Sequence, residues 1–233
     1  MIDEIEELFK AYWRAGMKAG YTENVPKEMM VSAPNSEGSY EWKLIPGVLT
    51  NEDYKNVETQ FKITFPENFI AWHKRYFFED CDCSIIRLPF SSPSRPLQEI
   101  IDNLDWYIAE QLIPLGLIPF ANEGNDAGPL VFDTRNASGK EDFPIRVYDH
   151  EYGGDLDGLS EIIFSSFRKM LTCLTHFLTE IEKRKRFEVF ADFYEIDPDG
   201  AGATGKEYWK AGSQWKELTL KNLDTSFLKP KRC

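Results

Sequence analysis

Apolar side chains near the start of the chain recur at helical spacing. Ile2, Ile5, Leu8, Phe9, Tyr12 and Trp13, with acids between them, predict an amphipathic helix over Ile2–Lys18. Residues 20–39 are polar, carry Pro26, Pro34 and Gly38, and read as a connection. A helix then opens at Thr50, where Asp53 completes a capping box and Leu49 can staple onto Tyr54; its inward side is Tyr54, Val57 and Phe61. Another begins near Pro66, a residue suited to a first turn. Phe69, Ile70, Trp72, His73, Tyr76 and Phe77 leave it little polar face, so it is expected to be buried.

Further along, Cys83–Leu88 predicts a strand and Leu97–Leu112 one helix, with Ile100, Ile101, Leu104, Ile108 and Leu112 facing inward. Three strand candidates follow: Leu117–Ala121, Pro129–Thr134 and Pro144–Tyr148. The stretches between them are rich in Gly, Asn and Asp and suit hairpin connections, which favours an antiparallel meander over a doubly wound parallel sheet. A long helix over Ser160–Arg184 is predicted from an apolar stripe that includes Ile162, Ile163, Phe167, Met170, Leu171, Leu174, Phe177 and Ile181. The basic run Lys183–Arg186 opposes the negative end of its dipole. Phe187–Phe193 fits either helix or strand, and Lys206–Leu220 looks helical. The fold class expected is α+β, a central, mostly antiparallel sheet flanked by helices.

Composition narrows the partners. In 233 residues, 42% are hydrophobic and 14% aromatic, enough for a sizeable core. The net charge of −12 disfavours nucleic acid and an anionic membrane surface and favours a basic protein partner. No run of eighteen apolar residues occurs, and the acidic start lacks a signal-peptide core, so a cytoplasmic location is expected. The four cysteines are irregularly spaced, and Cys81 and Cys83 form Cys-x-Cys, not the pair spacing of common zinc sites.

Catalytic patterns are sparse. The three histidines, His73, His150 and His176, show no paired zinc spacing, and neither a nucleophile elbow nor a phosphate-binding glycine loop occurs. Asp149-His150-Glu151 with Asp155 and Asp157 is the best acid/base or metal cluster. Gly153, Gly154 and Gly158 make the same stretch a polar turn, and that reading weighs more. Asp197-Pro198-Asp199-Gly200 lacks calcium-loop spacing and reads as a turn. No catalytic residue, metal or cofactor is expected.

Charge is concentrated between Phe120 and Ser160: Glu123, Asp126, Asp133, Glu141, Asp142, Asp149, Glu151, Asp155 and Asp157 face only Arg135, Lys140 and Arg146, which is half the net charge. If the hairpin connections lie together, these acids form one negative surface able to fill a basic groove by imitating phosphate.

Several segments carry a family resemblance. Phe65-Pro66-Glu67-Asn68-Phe69 is similar to the Pro-led helix start of the SUKH superfamily. Leu117–Ala121, Glu123-Gly124-Asn125-Asp126 and Leu130-Val131-Phe132-Asp133 resemble its central strand pair and Gly/Asp turn. Ile145–His150 resembles the next strand, and Ser165-Ser166-Phe167 with Leu171–Leu174 the closing helix. Where the family often has Asn-Gly-Gly, this chain has Tyr76-Phe77-Phe78-Glu79-Asp80. The resemblance covers about Trp42–Leu178 and divides the chain into a helical extension and linker (1–40), a SUKH-like domain (41–186) and a C-terminal extension packed on it (187–233). It implies an immunity protein that neutralises a cognate polymorphic toxin, such as a nuclease or deaminase, by direct contact and without catalysis. A regulatory scaffold is the alternative, and a metal-dependent hydrolase at Asp149 and His150 the third reading. Candidate partner contacts are Glu123, Asp126, Asp142, Asp149, Glu151, Asp155 and Asp157, with Tyr148 and Tyr152 as aromatic anchors.

Overall fold

The computed structural model describes residues 1–17, 19–21, 25–136 and 139–211. Helix α1 (Ile2–Arg14) buries Ile5, Leu8, Phe9, Ala11 and Tyr12 along its apolar stripe. It stops short of Lys18, with Gly16 at φ +75° beyond its end. Two short antiparallel pairs follow, β1 (Ala19–Gly20) with β2 (Tyr40–Glu41), and β3 (Ile45–Pro46) with β4 (Tyr76–Phe77). Between β3 and β4 lie α2 (Asn51–Phe61) and α3 (Glu67–His73). The capping box at α2 forms as expected, with Asp53 accepting from the Thr50 N–H at 2.7 Å, and Pro66 stands at the N-cap position of α3.

The central sheet is an antiparallel meander, β5 (Ile86–Arg87), β6 (Leu117–Glu123), β7 (Pro129–Asp133) and β8 (Ile145–Val147), in that spatial order. With helices on it, the architecture is α+β. All of β7 is buried because the sheet is covered on both faces. Phe120 and Phe132 stack with ring centroids 3.8 Å apart on one face, edge-on to Phe69 and Phe167. Leu117, Val131 and Tyr148 pack with Ile108 and Leu112 on the other. The main core runs without interruption from α1 through the sheet to Phe190, Phe193 and Trp209.

Two long helices of the expected pattern are shorter in the structure. The stretch Leu97–Leu112 is two helices, α4 (Gln98–Leu104) and α5 (Tyr107–Leu112), because Trp106 is extended at φ −72°, ψ 142°. The helix predicted over Ser160–Arg184 is α6 (Phe167–Glu180). Residues 159–164 instead run along β8: the Ile163 N–H donates to the Ile145 carbonyl at 2.9 Å and the Ile145 N–H to the Phe164 carbonyl at 2.9 Å. An open sheet edge needs those hydrogen bonds more than Ile162 and Ile163 need a helix. Ser166 then caps α6 by accepting from the Lys169 N–H at 3.1 Å. The strand expected at Cys83–Leu88 is regular only over Ile86–Arg87.

After α6 come α7 (Arg186–Phe190) and α8 (Phe193–Ile196), so Phe187–Phe193 is largely helical. Asp197 is buried and accepts from the Ser165 N–H at 2.8 Å, and the Trp209 indole donates to the Ile163 carbonyl at 3.1 Å. Residues 206–211 are helical; the rest of the helix expected to Leu220 lies outside the described residues. Among the described residues, no helix is long and apolar enough to cross a membrane.

Candidate acidic binding cleft

At one end of the meander, four pieces of chain enclose a cleft of about 830 Å³. The hairpin tip around β5 supplies Asp82 and Arg87, and the α4–α5 corner supplies Glu99, Asp102, Asp105 and Trp106. The β6–β7 turn adds Glu123 and Asp126, and the chain leaving β8 adds His150. Six carboxylates thus face one guanidinium and one imidazole.

Local hydrogen bonds hold the walls. The Gly124 N–H donates to the Ile85 carbonyl at 2.9 Å, and the His150 N–H to the Ala127 carbonyl at 3.2 Å. Gly128 sits at φ +138°, and a Cβ there would strike the Tyr148 carbonyl and the His150 nitrogen, so only glycine lets the turn approach the chain after β8. Glu123 folds back on its turn and accepts from the Asn125 N–H at 2.5 Å. Asp82 accepts from the Ser84 N–H at 2.7 Å and Asp102 from the Gln98 side-chain amide at 2.8 Å. Glu99 accepts from the Phe90 N–H at 2.6 Å and stands 4.0 Å from Arg87. Burial raises the Glu99 pKa, against the pull of that N–H and of Arg87. Asp105 and Asp126 are exposed.

Beside the cleft, two successive single turns, His150–Tyr152 and Leu156–Gly158, are capped by Asp149 and Asp155, which accept from the N–H groups of Glu151 and Asp157 at 3.0 Å each. Gly154 packs against the Gln111 side chain of α5, so this loop and α5 are neighbours. They present Tyr107, Tyr152 and Leu156, respectively 58%, 50% and 43% exposed, together with exposed Glu151, Asp155 and Asp157.

Of the expected contacts, Glu123 and Asp126 line the cleft, and Asp149, Glu151, Tyr152, Asp155 and Asp157 lie next to it. Two are placed differently. Tyr148 is fully buried, its hydroxyl accepting from the Gly154 N–H at 2.6 Å, so it braces the loop from within. Asp142 lies at the opposite end of the sheet and is spent on structure. It accepts from the N–H groups of Phe167 at 2.6 Å and Arg168 at 3.1 Å and from the Asn68 amide at 3.0 Å, joining α6 to α3. Burial raises its pKa against those bonds.

The nine acids of the 120–160 stretch therefore do not form one surface. Successive connections of a meander fall at alternate ends of the sheet, which sends Asp133, Glu141 and Asp142 away from the others. Asp82, Glu99, Asp102 and Asp105 take their place in the cleft. The signal for part of this set was the i, i+3 series Glu99, Asp102, Asp105, the polar stripe opposite Ile100 and Leu104. Among the described residues, no group of three or more His, Cys, Asp and Glu side chains is placed to hold a metal ion.

No family model matches the chain, and no curated protein matches it.

Proposed function

We propose that this chain is a protein-binding module of SUKH-like type that captures a basic protein partner in the acidic cleft, as an immunity protein that neutralises a toxin domain by direct contact. One observation carries the reading: six carboxylates converge on a concave surface whose lining has Arg87 as its single permanent cation. Like charges held this close repel one another, and a partner's Lys or Arg relieves that repulsion while the field speeds encounter. Trp106, Tyr107 and Tyr152 at the rim supply the aromatic anchors that such an interface needs. A toxin whose groove binds phosphates would meet in this surface a substitute for its substrate.

The test is co-purification of the tagged protein with the products of neighbouring genes, at low and at moderate salt. The expected result is a single basic partner, captured more slowly as salt rises. The triple variant Asp102→Lys, Asp105→Lys, Asp126→Lys should lose roughly 100-fold in affinity while keeping its thermal unfolding transition. Equal capture by the folded triple variant would overturn the reading. A second reading, a hydrolase working through His150, rests on His150 lining the same cleft. It requires a turnover that His150→Ala abolishes.

A further inference from the structure

The hairpin that walls the cleft carries Cys81 and Cys83 on either side of Asp82. Asp82 bridges Arg87 in an antiparallel pair. Around it, the Leu88 N–H donates to the Cys81 carbonyl at 3.1 Å and the Cys83 N–H to the Ile86 carbonyl at 2.9 Å. Side chains alternate along extended backbone, so Asp82 faces the cleft while both cysteines face inward. Both are free and fully buried, two positions apart on the same side of this extended stretch.

We propose that Cys81 and Cys83 are a peroxide-oxidisable dithiol whose disulfide closes beneath Asp82 and reshapes this wall of the cleft. The oxidant is a small hydroperoxide. One thiol, as thiolate, attacks the peroxide oxygen; the O–O bond breaks, a sulfenic acid forms, and hydrogen peroxide leaves as water. The second thiol attacks the sulfenic sulfur, the S–S bond forms and a second water departs. In total, two thiols and one hydrogen peroxide give one disulfide and two waters.

The geometric consequence follows from strand dimensions. Alternate residues of an extended strand have Cα atoms about 6.7 Å apart, near the upper limit of about 6.8 Å that a disulfide tolerates. Closure therefore draws Cys81 and Cys83 together, puckers the backbone at Asp82 and strains the two hydrogen bonds that flank it. The neighbouring Cys83 and burial hold the Cys81 thiol pKa well above its ordinary range. With both thiols fully buried, peroxide reaches them slowly, and the pair is not a fast peroxide-reducing centre.

The experiment treats reduced, full-length protein with hydrogen peroxide and follows intact mass, peptide mass and amide hydrogen exchange. Trypsin cuts after Arg75 and Arg87, so both thiols fall in the peptide Tyr76–Arg87. That peptide should lose two hydrogens, and amides between 82 and 88 should exchange about tenfold faster, both reversed by dithiothreitol. Cys83→Ser should show neither change. The proposal is overturned if the peptide gains oxygen instead, if the hydrogens are lost only after unfolding in urea, or if the disulfide forms with exchange unaltered. None of these readouts depends on partner binding.

Discussion

Tyr54 and Phe90 hold the His73 ring from both sides. Its Nε2–H donates to the Phe90 carbonyl at 3.2 Å, which leaves Nδ1 to accept from the Tyr54 hydroxyl at 2.6 Å. The ring is fully buried, and burial lowers its pKa from 6.5 to about 4, the Phe90 bond opposing only in part. As pH falls, the unfolded chain takes up this proton first, so stability is full above pH 6.5 and declines as pH falls toward 4. The loss attributable to His73 is about 3 kcal/mol. Urea unfolding of the wild type and His73→Gln at pH 7 and pH 4.5 should show the gap between them narrowing or reversing in the acid sample. A constant gap would mean that His73 does not titrate with folding. Asp133 illustrates the opposite balance: burial would raise its pKa, but hydrogen bonds from Arg135 and Arg146 at 2.7–2.8 Å outweigh burial and hold it at about 2.

At the scale of elements, the joint between α3, α6 and the β7–β8 connection rests on Asp142. Its carboxylate satisfies two N–H groups of the first turn of α6, donors that have no partner inside the helix. Asp142→Ala should cost about 2 kcal/mol of stability, read as a lower urea midpoint, and leave capture of a basic partner unchanged. Reduced capture by a folded Asp142→Ala protein would return this residue to the interface. The same reasoning explains the shortened α6. Once residues 159–164 are committed to β8, the helix begins where Ser166 and Asp142 can cap it.

For the whole molecule, the asymmetry of charge matters more than its total. One end of the sheet gathers carboxylates from three chain segments around Arg87, which is 54% exposed at its side chain. Removing that cation should deepen the negative field. Arg87→Glu is expected to raise the association rate with a basic partner several-fold at low salt, with the advantage shrinking as salt is added. Stopped-flow association of wild type and variant measures this, and a slower variant with an intact fold would place the partner's contacts elsewhere.

Local chemistry was legible in the residues themselves. The Thr50–Asp53 capping box, the stripe Ile5, Leu8, Phe9, Tyr12 and the glycine-rich turns between apolar strands depend on neighbours a few positions away, and the meander and α+β class followed from them. The break at Trp106 and the extended path of Ile163 were not legible, because both answer to hydrogen bonds and packing offered by distant strands. Tyr148, at the end of a predicted strand, and Asp142, in the connection before it, were read as partner contacts, yet the fold used one to brace a turn and the other to cap a helix. The sequence by itself determined how much negative charge the chain carries and which short elements it forms. Only the tertiary structure decided which carboxylates meet. A cleft is assembled from segments far apart along the chain, and side-chain spacing along one segment holds no information about which end of the sheet another segment will reach.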